Sequence, residues 1–357
     1  MPAPDLPPPP PAPQGPRPLF VHLHVRLLDP AVVAGTTVIV IDQIRASVTM
    51  TAALHARAPF IEPVLTVEDA FTRAAALRTA GIPALIGGER AGIAVEGFDL
   101  DNSPRNYTQD RIAGRPLVFT TSNGTASLLH VRRAHRILVG SLSNLSAIVS
   151  AVATDPRPVH ILCAGTRDEI SLDDCLPAGA MVQRLIAEGR TLGSDDSGRM
   201  CLALWRDTLA SRGGIASALR ESRGGRNLSR IGLDADIDFC ALVDHLPVLP
   251  AFDSGTGRIT IERSSHAQIP QTSSRGHQSQ PGMPALGIDG CAGGWIVASL
   301  GSQWHASTPR VEFEIHPTLD FLESLTPSRV CIDIPIGLSR APRTCDMLAR
   351  RALLGAA

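Results

Sequence analysis

Short apolar runs alternate with amphipathic stretches from residue 36 to about residue 190. The runs are rich in β-branched residues, which indicates buried strands, and the stretches between them have helical spacing. The predicted strands are 36–42, 83–88, 116–121, 136–141 and 158–165, and the predicted helices are 44–58, 66–81, 123–134, 143–153 and 171–189. This repeat predicts an α/β fold in which helices cover both faces of a mostly parallel sheet.

Two helix starts carry capping signals. Thr66 precedes the second predicted helix with Asp69 at the third helical position, which predicts a side-chain cap. Ser171 and Asp174 have the spacing of a capping box at the start of the last helix. Asp173 has no predicted capping role and is therefore a candidate functional residue.

Composition divides the chain into four segments. Residues 1–18 are proline-rich, which predicts a disordered, extended tail rather than a secretory signal. Residues 19–261 carry the strand–helix repeat and close with a predicted strand at 255–261. Residues 262–284 are a Ser/Gln/Pro/Gly linker, and residues 285–357 open a new unit with a strand–turn–strand pattern.

Charge and cysteine usage exclude several classes of function. The net charge is −1 and no apolar run is long enough to span a bilayer, so we expect neither nucleic acid nor a membrane as a partner. The seven cysteines are odd in number and contain no CxxC pair, which argues against zinc and for a reducing cytoplasm. Cys163 lies in an apolar run and is predicted to be a core residue. Association into homo-oligomers is left open.

Four polar clusters follow four of the predicted strands. They are DQIRAS (42–47), GGER (87–90), TTSNGT (120–125) and AGTRDE (164–169). In open α/β sheets, ligands bind outside the carboxyl ends of the strands. If the strands are parallel, the clusters meet at one sheet edge and the polar loop 87–107 belongs to a shared site.

Each cluster has a functional interpretation and a structural one. Asp42 is either a metal ligand or a helix cap, and Arg45 either grips an anion or forms a surface ion pair. Glu89 and Arg90 lie between glycines, in a site or in a solvated loop. Residues 122–125 expose backbone donors for a phosphate or form an ordinary helix start, without the GK[ST] of a P-loop.

The combined composition of these clusters favours one chemistry. Several carboxylates and several anion-binding groups occur together without histidine, which suits Mg²⁺ and a strongly anionic substrate. Phosphate monoesters are the natural class, since a metal and arginines offset charge on the phosphoryl oxygens.

The motifs resemble those of a known family. VIVIDQIRASVT, GGERAGIAVEGFDLDNSPRNY, LVFTTSNGTASL, CAGTRDEISLDDCLPAGAMV and GRNLSRIGLDADIDFCALVDHLPV occur in the order and spacing of 2-phosphosulfolactate phosphatase, over residues 19–261. The resemblance implies a three-layer α/β/α fold with a mostly parallel or mixed sheet. It also implies magnesium-dependent hydrolysis of (R)-2-phospho-3-sulfolactate to sulfolactate and phosphate, as in coenzyme M biosynthesis.

The resemblance also suggests individual roles. The hypothetical catalytic residues are Asp42, Arg45, Glu89 and Asn123. The hypothetical metal ligands are Asp42, Glu89, Asp99 and Asp174, although Asp99 could instead form an Asx-type turn. The hypothetical substrate-binding residues are Arg90, Ser122, Gly124, Thr125, Thr166 and Arg226.

The chain departs from the family's pattern at four positions. Gln43 stands where an aliphatic residue is usual, and Pro177 where cysteine is common, so no cysteine is needed there. Asp101 and Asp168 replace usual glycines and add negative charge near an anion site, which leaves the substrate open. The alternatives are a different small phosphate ester, or a non-catalytic sensor of a phosphorylated or sulfonated metabolite.

The C-terminal segment resembles a second, uncharacterised family with a predicted ribonuclease H-like fold. GIDGCAGGW, CIDIPIGL and RTCDMLARRAL carry this resemblance. Asp289 and Asp333 would lie on neighbouring strands, as the carboxylates of two-metal nucleases do. Because the helices that should follow are missing, a partial, inert fragment is favoured over a nuclease.

Overall fold

The computed structural model of the protein describes residues 15–262, 285–291, 294–300, 311–316 and 329–333. The chain divides into two compact units, Met1–Gln268 and Ile269–Ala357. Most of the predicted tail (residues 1–14) and most of the predicted linker (residues 263–284) lie outside the described residues.

The first unit is built on a mixed ten-stranded sheet. Its strands are β1 (Pro18–His22), β2 (Thr37–Ile41), β3 (Ile61–Pro63), β4 (Leu85–Gly88), β5 (Leu117–Thr120), β6 (Arg136–Gly140), β7 (Val159–Cys163), β8 (Thr191–Leu192), β9 (Pro250–Asp253) and β10 (Arg258–Ile261). Their order across the sheet is β4-β5-β3-β10-β9-β6-β2-β7-β1-β8.

The sheet consists of two parallel halves that run in opposite directions. Strands β4, β5 and β3 form one half, and β6, β2, β7, β1 and β8 form the other. The antiparallel hairpin β9–β10 lies between them, and each of its strands pairs antiparallel with its outer neighbour. The expectation of a mostly parallel or mixed sheet is confirmed, and the sheet is mixed because the hairpin pairs antiparallel with both halves.

Ten α-helices occur within residues 15–262. They are α1 (Ala46–His55), α2 (Val67–Thr79), α3 (Gln109–Ile112), α4 (Gly124–His130), α5 (Leu145–Ala153), α6 (Leu172–Ala187), α7 (Ser197–Ala210), α8 (Gly214–Glu221), α9 (Arg223–Arg230) and α10 (Asp234–Cys240). The five strands and five helices predicted between residues 36 and 190 are all present, with shorter bounds, as is the closing strand β10.

Alternating residues of the strands pack into two hydrophobic cores, because successive side chains point to opposite faces of a sheet. Ile86 and Val118 pack with Ala70 and Ala74 of α2 on one face. On the other face, residues such as Phe119 join the main core with α1, α5 and α6. Apolar strands buried on both faces therefore produce the three-layer α/β/α arrangement. Cys163 is fully buried in the main core, as predicted.

One capping prediction is confirmed and one is wrong. Thr66 caps α2, and its hydroxyl accepts a hydrogen bond from the Asp69 N–H at 3.0 Å. Ser171 stands at the N-cap of α6 but makes no side-chain cap. Its hydroxyl donates instead to Asp173 at 2.5 Å, and Asp174 accepts from loops at the ends of β2 and β7. These tertiary partners replace the local capping box.

The second unit contains a four-stranded sheet, formed by β11 (Ala285–Cys291), β12 (Gly294–Leu300), β13 (Val311–His316) and β14 (Arg329–Asp333). Their order is β13-β12-β11-β14. Strands β11 and β14 are parallel, and Asp289 and Asp333 are register partners. The two aspartates therefore lie on neighbouring strands, as the resemblance implied.

Candidate active site

Loops from both halves of the first sheet enclose a pocket of about 140 Å³. The loops follow β2, β4, β5 and β7, and helix α9 completes the wall. Of the residues proposed from the sequence, the structure brings six to this wall: Asp42, Arg45, Glu89, Ser122, Asn123 and Thr166.

Loops from two halves of the sheet that run in opposite directions can meet at one pocket because the sheet is twisted. Five steps of the sheet order separate β5 from β2. Neighbouring strands rotate by about 20–25° per step, so these two strands are turned by roughly 100–125° through twist alone. This rotation offsets much of the nominal reversal, and the carboxyl ends of both halves open onto the same pocket.

Asp42 ends β2 and is held against the start of α4. Its carboxylate accepts hydrogen bonds from the backbone N–H groups of Ala46, at 3.3 Å, and of Gly124. A methyl group added at Gly124 would lie 2.9 Å from Asp42 Oδ2. Burial, together with the nearby carboxylates Asp173 and Glu89, raises the pKa of Asp42 to about 7.

Glu89 follows β4 and is almost fully buried. Its Oε1 accepts the Ser122 N–H at 2.8 Å, and its Oε2 accepts the Gly92 N–H. The backbone donors at the start of α4, proposed as a phosphate cradle, therefore bind the two pocket carboxylates. The Gly124 N–H donates to Asp42, and the Ser122 N–H donates to Glu89.

Two further carboxylates lie behind the pocket wall. Asp174 Oδ1 accepts the Gln43 N–H and its Oδ2 accepts the Gly165 N–H, both at 2.8 Å. Burial, Asp173 and Asp42 together raise the pKa of Asp174 well above its usual range. Asp173 is also buried and its pKa is raised. Burial and mutual repulsion therefore disfavour the ionised forms of these clustered carboxyl groups.

Arg45 lines the pocket but is already neutralised. Its Nη1 donates to Asp236 Oδ2 at 2.6 Å, and its Nη2 donates to the Gly92 carbonyl at 3.0 Å. The Ser103 hydroxyl donates to the other oxygen of Asp236 at 2.7 Å. A guanidinium has five N–H donors, so Arg45 retains donors for a ligand.

Six of the proposed residues are not part of the pocket wall. Asp174 lies behind it, and Gly124 contributes its backbone N–H to Asp42. Asp99 accepts from Arg78 at 2.7 Å and from the Ile86 N–H. Arg90 donates to the carbonyls of Glu89 and Leu65. The remaining two are Thr125, which bonds to Thr121, and Arg226, whose guanidinium donates to the Glu221 carbonyl.

The pocket wall also contains polar residues that were not individually proposed as site residues: Asn102, Arg167, Asn227 and Arg230. Residues 224, 227, 228 and 230 of helix α9 line the pocket, as does Ile231, which follows the helix. Arg226 does not line it, although Arg230, four residues later, does. Helical spacing within GRNLSRIGL therefore could not tell which arginine reaches the pocket.

The comparisons with known proteins identify the chain's family. A family model described as 2-phosphosulpholactate phosphatase matches residues 24–255, which is more than half of the chain. The chain belongs to the 2-phosphosulfolactate phosphatase family. This family consists of phosphoric monoester hydrolases. A second model, described as a protein of unknown function (DUF429), matches residues 287–357.

Relatives in this family come from distant bacteria, and each is named a probable 2-phosphosulfolactate phosphatase. A protein of Symbiobacterium thermophilum is 37% identical over 222 residues, covering 62% of this chain and 93% of the relative. One from Synechococcus sp. is 36% identical, covering 64% and 94%. One from Clostridium acetobutylicum is 31% identical, covering 62% and 92%.

The departures from the family's pattern lie off the pocket wall. Asp168 has a φ of +67°, a conformation that favours glycine, and its carboxylate pairs with Arg26 at 2.8 Å. Asp101 accepts from the Ser103 N–H and the Asn106 amide. Neither aspartate therefore adds charge to the pocket wall.

The other two departures are structural. The Gln43 side chain donates to the Cys240 carbonyl at 2.6 Å and accepts the Leu142 N–H at 3.0 Å. Pro177 lies inside α6, where it is buried. No helix in the described part of the chain is long and apolar enough to cross a membrane.

The donor set of the pocket fits magnesium. Asp42 and Glu89 offer carboxylate oxygens, and the buried amide oxygen of Asn102 has no hydrogen-bond partner. Among the residues that the structure describes, no three His, Cys, Asp or Glu side chains are grouped closely enough to hold a metal. Mg²⁺ is usually bound through one or two carboxylates with waters and substrate phosphate, so a smaller set suffices.

Proposed function

We propose that the first unit hydrolyses 2-phosphosulfolactate to sulfolactate and phosphate in a magnesium-dependent reaction. The observation that carries this proposal is the meeting of Asp42 and Glu89 in one pocket, each oriented by a backbone N–H from residues 122–124. The names of the relatives support the substrate. The positions of Asp101 and Asp168 are compatible with this anionic substrate, since neither lines the pocket.

Four pocket residues have a defined task in this proposal. Asp42 and Glu89 hold the magnesium ion, with the Asn102 amide oxygen available as a neutral third oxygen. Arg45, fixed by Asp236, directs its remaining N–H donors to the substrate. When bound, magnesium supplies positive charge that offsets the charge developing on the phosphoryl oxygens.

The attack on phosphorus follows one of two routes. Water attacks phosphorus directly and sulfolactate leaves, or the carboxylate of Asp42 displaces sulfolactate and forms an aspartyl phosphate, which water then cleaves at phosphorus. Trapping with hydroxylamine during turnover separates the routes, since only an aspartyl phosphate converts Asp42 into a hydroxamate.

The proposal is tested by measuring phosphate release from 2-phosphosulfolactate, with magnesium and with a chelator. We expect release with magnesium only, and its loss in Asp42→Asn with the far-ultraviolet circular dichroism retained. Asp207→Asn is the matched control, because Asp207 is exposed on α7 and lies outside the pocket. Equal turnover in Asp42→Asn and the control would contradict the metal assignment.

A binding module would give a different result. It would show thermal stabilisation by the phosphate ester without phosphate release. The place of this reaction in coenzyme M biosynthesis and the cytoplasmic location are parts of the same proposal. A mutant that lacks the chain tests the first through its coenzyme M content.

A further inference from the structure

Two arginines on the pocket wall have no role in the proposal above. Arg167 lies in the loop after β7, and Arg230 is the last residue of α9. Within the described part of the chain, neither guanidinium forms an ion pair with a carboxylate. Arg230 donates only to the neutral Asn227 amide, at 3.2 Å.

The acidic neighbours of Arg167 are engaged elsewhere. Asp168 pairs with Arg26 at 2.8 Å, and Glu169 pairs with Arg223 of α9. The Arg167 N–H also donates to the Asn123 side chain at 3.4 Å, which fixes the loop to the start of α4. The two carboxylates of this loop are therefore paired with Arg26 and Arg223, and the positive charge of Arg167 stays at the pocket wall.

The balance of charge on the pocket wall indicates what these arginines bind. Arg45 is neutralised by Asp236, and a divalent cation would neutralise Asp42 and Glu89. Two positive charges then remain, those of Arg167 and Arg230. An exposed guanidinium without a carboxylate partner is a ready site for a planar carboxylate or a sulfonate, because it binds oxyanions through paired N–H donors.

We infer that Arg167 and Arg230 form a second anion subsite, which binds the non-reacting acidic groups of the substrate. This inference rests on the proposed function and deepens it, since it makes the pocket selective for phosphate esters that carry further negative groups. The phosphate would bind at Asp42, Glu89 and the metal, and the acidic groups of the substrate would bind at the two arginines.

The kinetic test uses the full chain with magnesium and compares two esters. One is 2-phosphosulfolactate, and the other is p-nitrophenyl phosphate, which carries no second anionic group. Arg167→Met and Arg230→Met keep an unbranched apolar side chain and remove the charged guanidinium. We expect kcat/KM for 2-phosphosulfolactate to fall about 10- to 100-fold more than that for p-nitrophenyl phosphate, as loss of a charged hydrogen bond predicts.

The control is Arg206→Met, since Arg206 is exposed on α7 and does not line the pocket. This variant should keep the wild-type ratio between the two esters. An equal loss on both esters in Arg167→Met and Arg230→Met would overturn the subsite and assign the arginines to phosphate. No loss on either ester would overturn it as well.

A calorimetric test separates this inference from the proposed function. Wild-type protein should bind 3-sulfolactate, which has no phosphate, more tightly than either arginine variant does. If neither ester is hydrolysed, the proposed function fails, and calorimetry alone decides the subsite. Equal binding of 3-sulfolactate by wild type, Arg167→Met and Arg230→Met would overturn the inference in that case too.

Discussion

Arg45 and Asp236 form a buried ion pair with 2.6 Å between Nη1 and Oδ2, and both side chains are almost fully excluded from solvent. Arg45 immediately precedes α1, whereas Asp236 lies on α10, 191 residues further along the chain. The pair fixes α10 against the floor of the pocket and determines the direction in which the Arg45 guanidinium points.

Removal of one partner from this pair should be strongly destabilising. Asp236→Ala leaves the guanidinium buried without a counter-charge, which costs about 3–5 kcal/mol of the free energy of unfolding. Asp238→Ala on the same helix is the control, because the Arg220–Asp238 pair is exposed and such pairs contribute at most about 1 kcal/mol. Urea unfolding measures both variants, and similar losses would contradict the importance of the buried pair.

A single methyl group at Gly124 should disturb the site. In Gly124→Ala the new Cβ would lie 2.9 Å from both Asp42 Oδ2 and the Ala46 Cβ, so the carboxylate must move. A displacement of about 1 Å in a catalytic group costs roughly 100-fold in rate. Gly255→Ala, in the turn between β9 and β10, is the control. Steady-state kinetics of phosphate release compares them, and equal rates would show that Asp42 can tolerate the shift.

Removal of one carboxylate charge from the site should stabilise the metal-free protein. Burial, Asp173 and Glu89 raise the pKa of Asp42 to about 7, so its ionised form is disfavoured in the folded protein above that pH. Asp42→Asn removes this charge and should raise the free energy of unfolding at pH 8, whereas Asp207→Asn, on the exposed face of α7, should not. Denaturant unfolding at pH 8 with a chelator measures both variants. A loss of stability in Asp42→Asn would contradict the prediction.

Stability should also decrease on acidification because of His160. Burial, and then the neighbouring His22, lower the pKa of His160 from 6.5 to about 4, with Asp195 acting weakly in the opposite direction. Below pH 6.5 the unfolded chain binds a proton that the folded protein does not accept until about pH 4, so the stability present above pH 6.5 is lost as the pH falls.

The melting temperature between pH 7.5 and pH 5 measures this effect. His160→Gln should show a shallower decrease than the wild type, because the titrating group is absent. His55→Gln is the control, since His55 is exposed at the end of α1. A wild-type slope in His160→Gln would assign the acid sensitivity to other groups.

The strands and helices between residues 36 and 190 were predictable because their signal is local. Apolar runs such as that of β2, and the Thr66 cap of α2, depend on neighbours within a few residues. The sequence did not indicate strands β1, β3, β8 and β9 or helices α3 and α7 to α10. Several of these are short, but α7 has 14 residues, so length alone does not explain the difference.

The candidate site was predictable in part. Asp42, Glu89 and Asn123 were proposed from clusters that follow strands, and all three line the pocket. Asp99 belongs to an equally suggestive motif, yet it pairs with Arg78 of α2, 21 residues away. Composition cannot distinguish a carboxylate that faces a pocket from one that faces a neighbouring helix.

The sequence by itself determined the α/β class, the positions of the principal strands and the family, because periodicity and motif spacing are properties of the local chain. Only the tertiary structure decided that the two halves of the sheet run in opposite directions. It also decided that Arg167 and Arg230, and not Arg226, reach the pocket. The physical reason is that strand direction depends on the β9–β10 hairpin, whose residues follow those of every other strand of that sheet. The face that a helix presents depends in the same way on packing partners that are remote in sequence.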